Sequence, residues 1–312
     1  MKDLEDKILG MCLGAALGDA LGAPHERNKK FKYTGKLEFP IIHTKSHGHG
    51  TFISVIGQVS DDTEMSLILM RSIIKNKGKY VRDDVLQAYL NWANDKRNFF
   101  LGKNTRKHFK NVTTIKGYEN RIKKLTNEDK QQMQSNGALM RSYPLSLIEY
   151  KDVIKDVSLS NPNDFCIDLE LLYIKELKKF LFEKVDDPFN ILNRNIPEEV
   201  TYEIDDKSPK SWVLVAYKRA INSLKCKTYK EGIDSVISLG GDVDTNASIA
   251  GALLGAKFGY KKMIEDKITV ENINILLSYD PNKGNIPKNK KLHPKKFLKY
   301  TKKIIKIFEE NI

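Results

Sequence analysis

Residues 3–23 read Asp3-Leu-Glu-Asp-Lys-Ile-Leu-Gly10-Met-Cys-Leu-Gly14-Ala-Ala-Leu-Gly18-Asp19-Ala-Leu-Gly22-Ala23. Glycine recurs at every fourth position, which puts Gly10, Gly14, Gly18 and Gly22 on one face of a helix. An interior glycine costs a helix about 1 kcal/mol relative to alanine. A helix carrying this many needs a reason, and close approach of another backbone is the physical one. Toward the other end, Ala247, Gly251, Gly255 and Gly259 repeat the spacing. The pattern predicts two small-residue helices packed on each other or on a shared neighbour.

Helical periodicity dominates the rest of the chain. Thr63–Ile74 places Met65, Ile68, Leu69 and Ile73 on one face. Further helices are expected at Val81–Asn94, Pro162–Leu181, Lys210–Leu224, Tyr229–Ser238, Asn272–Ser278 and Lys295–Glu309. Residues 138–157 read as a helix interrupted near Pro144. Alternating β-branched runs are scarce, and only 31–43 and 51–59 suit short extended pieces. The fold class is therefore all-α, as one domain over residues 1–312. Residues 183–209, with Pro188, Pro197 and Pro209, form a polar insertion or long loop. Residues 295–312 form a basic helix whose apolar face is Phe297, Ile304, Ile305 and Phe308.

The chain has 312 residues, 40% hydrophobic and 9% aromatic, which excludes a disordered chain. The formal charge of +13 suits anionic partners. Spread-out lysine also suits a solvated surface, and no stacking aromatics accompany Lys288, Lys290, Lys291, Lys295 and Lys296, so nucleic acid is possible but not favoured. Cys12, Cys166 and Cys226 show neither zinc spacing nor a disulfide framework. The acidic N-terminus lacks a signal-peptide pattern, and the apolar run 8–24 is too short to span a bilayer. These features predict an intracellular, soluble protein, cytoplasmic or nuclear, with no membrane partner.

Two acidic clusters carry the chemistry. One is Ser60-Asp61-Asp62-Thr63, ahead of an apolar helical run. The other is Gly240-Gly241-Asp242-Val243-Asp244-Thr245. Carboxylates this close repel unless a cation lies between them. At a helix N-terminus Asp61 and Asp62 can converge on one site. Asp242 and Asp244 point the same way if their segment is extended, and the glycine pair permits a tight turn before it. Brought together, the clusters offer four carboxylates and two hydroxyls with no soft ligand, which is magnesium or manganese chemistry.

Four segments then resemble one family. They are Gly14-Ala-Ala-Leu-Gly-Asp-Ala-Leu-Gly-Ala-Pro-His-Glu26, Gly57-Gln-Val-Ser-Asp-Asp-Thr-Glu-Met65, Asn136-Gly-Ala-Leu-Met-Arg-Ser-Tyr-Pro144 and the run from Leu239 through Ala247 to Gly259. In this order they resemble the ADP-ribosylglycohydrolases. The resemblance implies an all-α domain with a cleft holding two Mg²⁺ or Mn²⁺ ions, and metal ligands Ser60, Asp61, Asp62, Asp242, Asp244 and Thr245. It implies Glu26 as the catalytic carboxylate. It implies a loop over 136–141 lining the phosphate and ribose part of the cleft, with Asn136, Gly137, Ala138 and Arg141 contacting substrate. Asp19 either contacts ribose or braces the loop, and Arg141 either pairs with phosphate or forms a structural salt bridge.

The implied activity is hydrolysis of the bond between ADP-ribose and a protein side chain. The implied partner is an ADP-ribosylated protein or another ADP-ribose conjugate. One departure stands out: Ser160-Asn161-Pro162 occupies the place of a family Thr-His pair before proline, so Asn161 supplies no titratable imidazole. An ADP-ribose-binding module with weakened turnover is the alternative that this departure allows. His43, His47 and His49 suggest zinc, but no cysteine or carboxylate completes a site. Trp92 and Trp212 read as core.

Overall fold

In the computed structural model, residues 1–27, 32–44, 51–98, 101–205, 207–285 and 289–310 are described. The glycine-striped segment forms helix α1 (Lys2–Arg27), which passes through Pro24 and carries Glu26 in its last turn. Among the described residues the chain continues through α2 (Asp61–Lys75), α3 (Arg82–Ala93), α4 (Lys103–Phe109), α5 (Ile115–Ile122) and α6 (Asn127–Gln131). It goes on through α7 (Tyr150–Val157), α8 (Asp164–Leu181), α9 (Pro188–Leu192), α10 (Val213–Ser223) and α11 (Tyr229–Ser238). The last helices are α12 (Val243–Met263), α13 (Lys267–Ser278) and α14 (Lys296–Glu310). The one hairpin described pairs β1 (Ile42–Thr44) with β2 (Thr51–Ile53), antiparallel, with Ile42 opposite Ile53. The all-α expectation holds.

α1 and α12 form the axis of the fold, and each is the other's main partner. They touch backbone to backbone through their small residues. A Cβ on Gly10 would stand 2.4 Å from the Gly255 carbonyl oxygen, and one on Gly14 equally close to that of Gly251. At Gly18 the distance to the Ala247 oxygen would be 2.1 Å. These are distances no side chain tolerates, so the glycines are set by packing and their helix-propensity cost is offset there. The flanks of both helices are sealed by Ile8, Met11, Leu13, Leu17, Ile249, Leu253 and their neighbours, all buried. The Tyr229 hydroxyl donates to the Gly14 carbonyl at 2.7 Å and ties α11 to the pair.

Several boundaries differ from the sequence reading. Residues 138–157 are not one interrupted helix. They form 3₁₀ turns at Leu139–Arg141 and Tyr143–Leu147, and then α7. Pro144 sits at the start of the second turn, where its missing N–H costs nothing. The sequence reading missed α4, α5 and α6, because their polar faces leave too few apolar positions for a clear period. Residues 183–209 carry α9 and a 3₁₀ turn at Glu198–Thr201. α14 buries Phe297, Ile304 and Ile305, leaving its lysines outward. His47 and His49 lie outside the described residues.

A charged network is buried beneath residues 136–141. The Arg141 guanidinium is 0% exposed. Its Nε donates to Asp156 Oδ2 at 2.9 Å, and Nη1 donates to the Gly137 carbonyl at 2.8 Å and to Ser160 Oγ at 2.9 Å. Glu170 adds a second buried carboxyl, held well above its usual range by burial and by the Asp156 charge against the opposing pull of Arg141. One cation thus neutralises Asp156, while Glu170 favours its protonated form. Asp156→Asn should cost about 3–5 kcal/mol, because it strands a buried guanidinium. Glu170→Gln should cost far less. A raised carboxyl stabilises the fold fully below its ordinary value near 4.5 and loses that contribution as pH rises toward its folded value. The wild type should therefore lose stability relative to Glu170→Gln as pH rises above about 4.5. Denaturant melts of both variants across pH check this pair.

Candidate active site

The site forms where the N-termini of α2 and α12 meet the C-terminus of α1. Asp19 sets the first of these. Its carboxylate is fully buried and accepts the Ser60 N–H at 3.0 Å, the Thr63 N–H at 3.2 Å and the Thr63 hydroxyl at 2.6 Å. A side chain from α1 thereby satisfies N–H groups that the first turn of α2 leaves without helical partners. Burial raises Asp19 to about 6, against the lowering effect of these hydrogen bonds. Asp19 braces the α2 terminus and is not among the residues lining the cavity.

At α2, Ser60 is the N-cap, and its hydroxyl accepts from the Asp62 N–H and donates to Asp62 Oδ2 at 2.8 Å. Asp61 is half-buried and faces the cavity. Asp62 is 1% exposed, and its Oδ1 has no hydrogen-bond partner among the described residues. At α12, Gly240 and Gly241 both adopt positive φ, 65° and 84°, which brings the chain sharply into the helix. Asp242 is the N-cap and Asp244 lies in the first turn. The sequence reading brought these two together on an extended segment. A helix start does it instead.

Glu26 completes the group. Carboxylate oxygens of Glu26, Asp242 and Asp244 all lie within 4.8 Å of one another. The crowding is visible in the electrostatics. Asp244 is held well above the usual carboxylate range by burial, and then by the charges of Glu26, Asp62 and Asp242. Asp62 is raised likewise by burial, and then by Asp19, Asp61 and Asp242. A buried carboxylate oxygen without a partner, beside several mutually repelling carboxyls, is a fitting environment for a hard divalent cation.

These residues open into a cavity of about 850 Å³ lined by Glu26, Ser60, Asp61, Asp242, Asp244 and Thr245. Asn136 and Gly137 join the same wall, and Asn136 Nδ2 donates to Asp242 Oδ2 at 2.9 Å. The remainder includes Lys103, Asn104, Arg106, Gln134 and Trp212. Trp212, expected in the core, is half-buried and donates from Nε1 to Gln134 Oε1 at 2.9 Å, so it forms part of the wall. Trp92 is buried as expected, and its Nε1 donates to Glu64 Oε2 at 2.8 Å.

Besides Asp19, two more sequence-derived substrate residues are placed outside the cavity lining. Arg141 is committed to Asp156 beneath the wall, and Ala138 is buried outside the cavity lining. Asn161 is buried as well. Its amide donates to the Met133 and Ser135 carbonyls at 3.1 and 3.0 Å, and so fixes the backbone that leads into Asn136. The sequence reading missed Lys103, Asn104 and Arg106 along with the short helix that carries them. Only the i, i+3 spacing of two cations hinted at them.

Comparison with known proteins identifies the family and the fold. The ADP-ribosylglycohydrolase family profile matches residues 1–272. The chain is 27% identical over 299 positions to a protein of Acanthamoeba polyphaga mimivirus named as an ADP-ribosyl glycohydrolase, covering 82% of this chain and 88% of that one. It is 26% identical over 272 positions to the ADP-ribosyl-[dinitrogen reductase] glycohydrolase of Rhodospirillum rubrum, covering 82% and 87%. Its fold superposes with a TM-score of 0.68 on a chain of an ADP-ribosylglycohydrolase-related protein complex, at 18% identity and with 98% and 99% coverage. No helix among the described residues is long and apolar enough to cross a membrane. On the profile match, which covers most of its length, this chain belongs to the ADP-ribosylglycohydrolase family.

Proposed function

We propose that the protein hydrolyses the glycosidic bond linking ADP-ribose to a protein side chain and releases ADP-ribose. The observation that carries this reading is the convergence of Glu26, Asp242 and Asp244 within 4.8 Å, in a cavity that Asn136 and Gly137 also line. Ser60, Asp61, Asp62, Asp242, Asp244 and Thr245 would hold two Mg²⁺ or Mn²⁺ ions, with Glu26 close enough to share in the ligation. Such ions supply orientation of vicinal ribose hydroxyls and a water of lowered pKa.

The chain's own groups do the rest. Glycosidic cleavage passes through an oxocarbenium-like state. Glu26 serves as general acid toward the departing side-chain atom or as general base toward water. Asn136 keeps Asp242 oriented through its amide. The Gly137 segment, pinned from below by Arg141, offers backbone close to a diphosphate. Half-buried Trp212 offers an apolar face suited to the base.

The weakened-turnover alternative drew on Asn161. Its amide is spent on the loop backbone, so it makes no demand on the chemistry in the cavity. Replacing Glu26 by Gln is the test of the assigned role. Turnover should drop about 10²–10⁴-fold, while ADP-ribose binding is largely retained. Normal turnover in that variant would sink the assignment.

A further inference from the structure

The cavity pairs its carboxylate wall with two cations from a single short helix. α4 exposes Lys103, Arg106 and Lys107 while burying Thr105, His108 and Phe109. Lys107 is engaged by Asp129 at 3.0 Å. Lys103 and Arg106 have no carboxylate partner among the described residues. Among the described residues, Arg106 donates from Nη2 to the Leu101 carbonyl at 3.3 Å. Both line the cavity, and their i, i+3 spacing puts them on one face.

The helix is fixed in place. Asn104 Nδ2 donates to Ser135 Oγ at 2.9 Å, and His108 Nδ1 is 2.7 Å from the Asn104 carbonyl. Ser135 adjoins Asn136, which holds Asp242. One continuous wall therefore runs from the carboxylate cluster, through residues 136 and 135, to the two cations.

A ligand whose sugar sits at the carboxylates and whose next group is strongly anionic matches that order. We infer that Lys103 and Arg106 hold the diphosphate of the substrate and make this chain selective for nucleoside-diphosphate ribosyl groups over simple ribosides. This rests on the ADP-ribosyl reading of the cavity. It also gives a positive partner to the phosphates now that Arg141 is engaged below the wall. Arginine offers a planar fork for phosphate oxygens, and lysine a mobile point charge.

The test compares wild type with Lys103→Gln/Arg106→Gln in Mg²⁺ buffer. ADP-ribose affinity is measured by calorimetry at low and high salt, and KM and kcat on an ADP-ribosylated protein. The double variant should bind ADP-ribose at least about 30-fold more weakly, lose most of the salt dependence seen in wild type, and raise KM with kcat little changed. Both side chains are exposed, so its melting temperature should match wild type. The charge-retaining swap Lys103→Arg/Arg106→Lys should recover most of the affinity. ADP-ribose affinity within about threefold of wild type in the Gln variant would overturn the inference. A wild-type protein that binds no ADP-ribose would instead overturn the ADP-ribosyl reading, and this inference with it.

Discussion

Asp244→Asn is expected to lower turnover by at least about 10³-fold, roughly 4 kcal/mol of transition-state stabilisation, without weakening the metal-free fold. Asp244 is buried against Glu26, Asp62 and Asp242, and those charges oppose its ionisation. An isosteric amide removes the repulsion and keeps the shape. On the proposed two-metal reading, removing one charge from the cluster removes the attraction to cations that would offset the crowding. Wild type should gain melting temperature on adding Mg²⁺ or Mn²⁺, because whatever binds only the folded state stabilises it. Asp244→Asn should melt at or above the wild-type temperature in EDTA and gain little from metal. A variant that melts much lower in EDTA would mean that Asp244 is a structural residue.

The second large effect concerns Gly22, where packing and chemistry meet. A Cβ there would lie 2.6 Å from Asp244 Cα and 2.7 Å from both the Asp244 nitrogen and the Val243 oxygen. All three are backbone atoms, so no rotamer change relieves the clash. Gly22→Ala must push the start of α12 away from α1, and it moves Asp242 and Asp244 against Glu26. Overpacking of this kind costs about 1–3 kcal/mol, whereas a displacement near 1 Å at reacting groups costs about 10² in rate. Gly255→Ala is the matched control. Its Cβ would meet the Gly10 carbonyl at 2.0 Å, an even closer clash, but beyond the carboxylates along the same helix pair. Both variants should lose stability, and only Gly22→Ala should lose activity per folded molecule. Equal retention of specific activity would show that the α1–α12 contact does not set the site.

That helix pair was legible because glycine at every fourth residue has few other physical explanations. The two acidic clusters stood out because adjacent carboxylates ahead of apolar helices need a cation or a cap. Both sit at helix starts, so Asp242 and Asp244 come together at the start of α12 and not on the extended segment that their i, i+2 spacing would have required. Contacts between distant segments were not legible. Nothing local in Gly18-Asp19-Ala20 says that the carboxylate will accept the N–H groups of Ser60 and Thr63. Arg141 in the loop motif looked as ready for phosphate as for Asp156, because the choice depends on where α7 packs. Lys103 and Arg106 were hidden for a different reason. α4 spans seven residues, too few for a period to show, and its burial comes from Thr105, His108 and Phe109 rather than an apolar stripe.

The most direct test of a metal-assisted ADP-ribosyl hydrolase is release of free ADP-ribose from arginine- and serine-ADP-ribosylated proteins. It should be measured with Mg²⁺ or Mn²⁺ and again with EDTA. The carboxylate cavity predicts release from at least one of the two substrates with metal and loss of that release in EDTA. Release from neither substrate with metal present, or release untouched by EDTA, would contradict it.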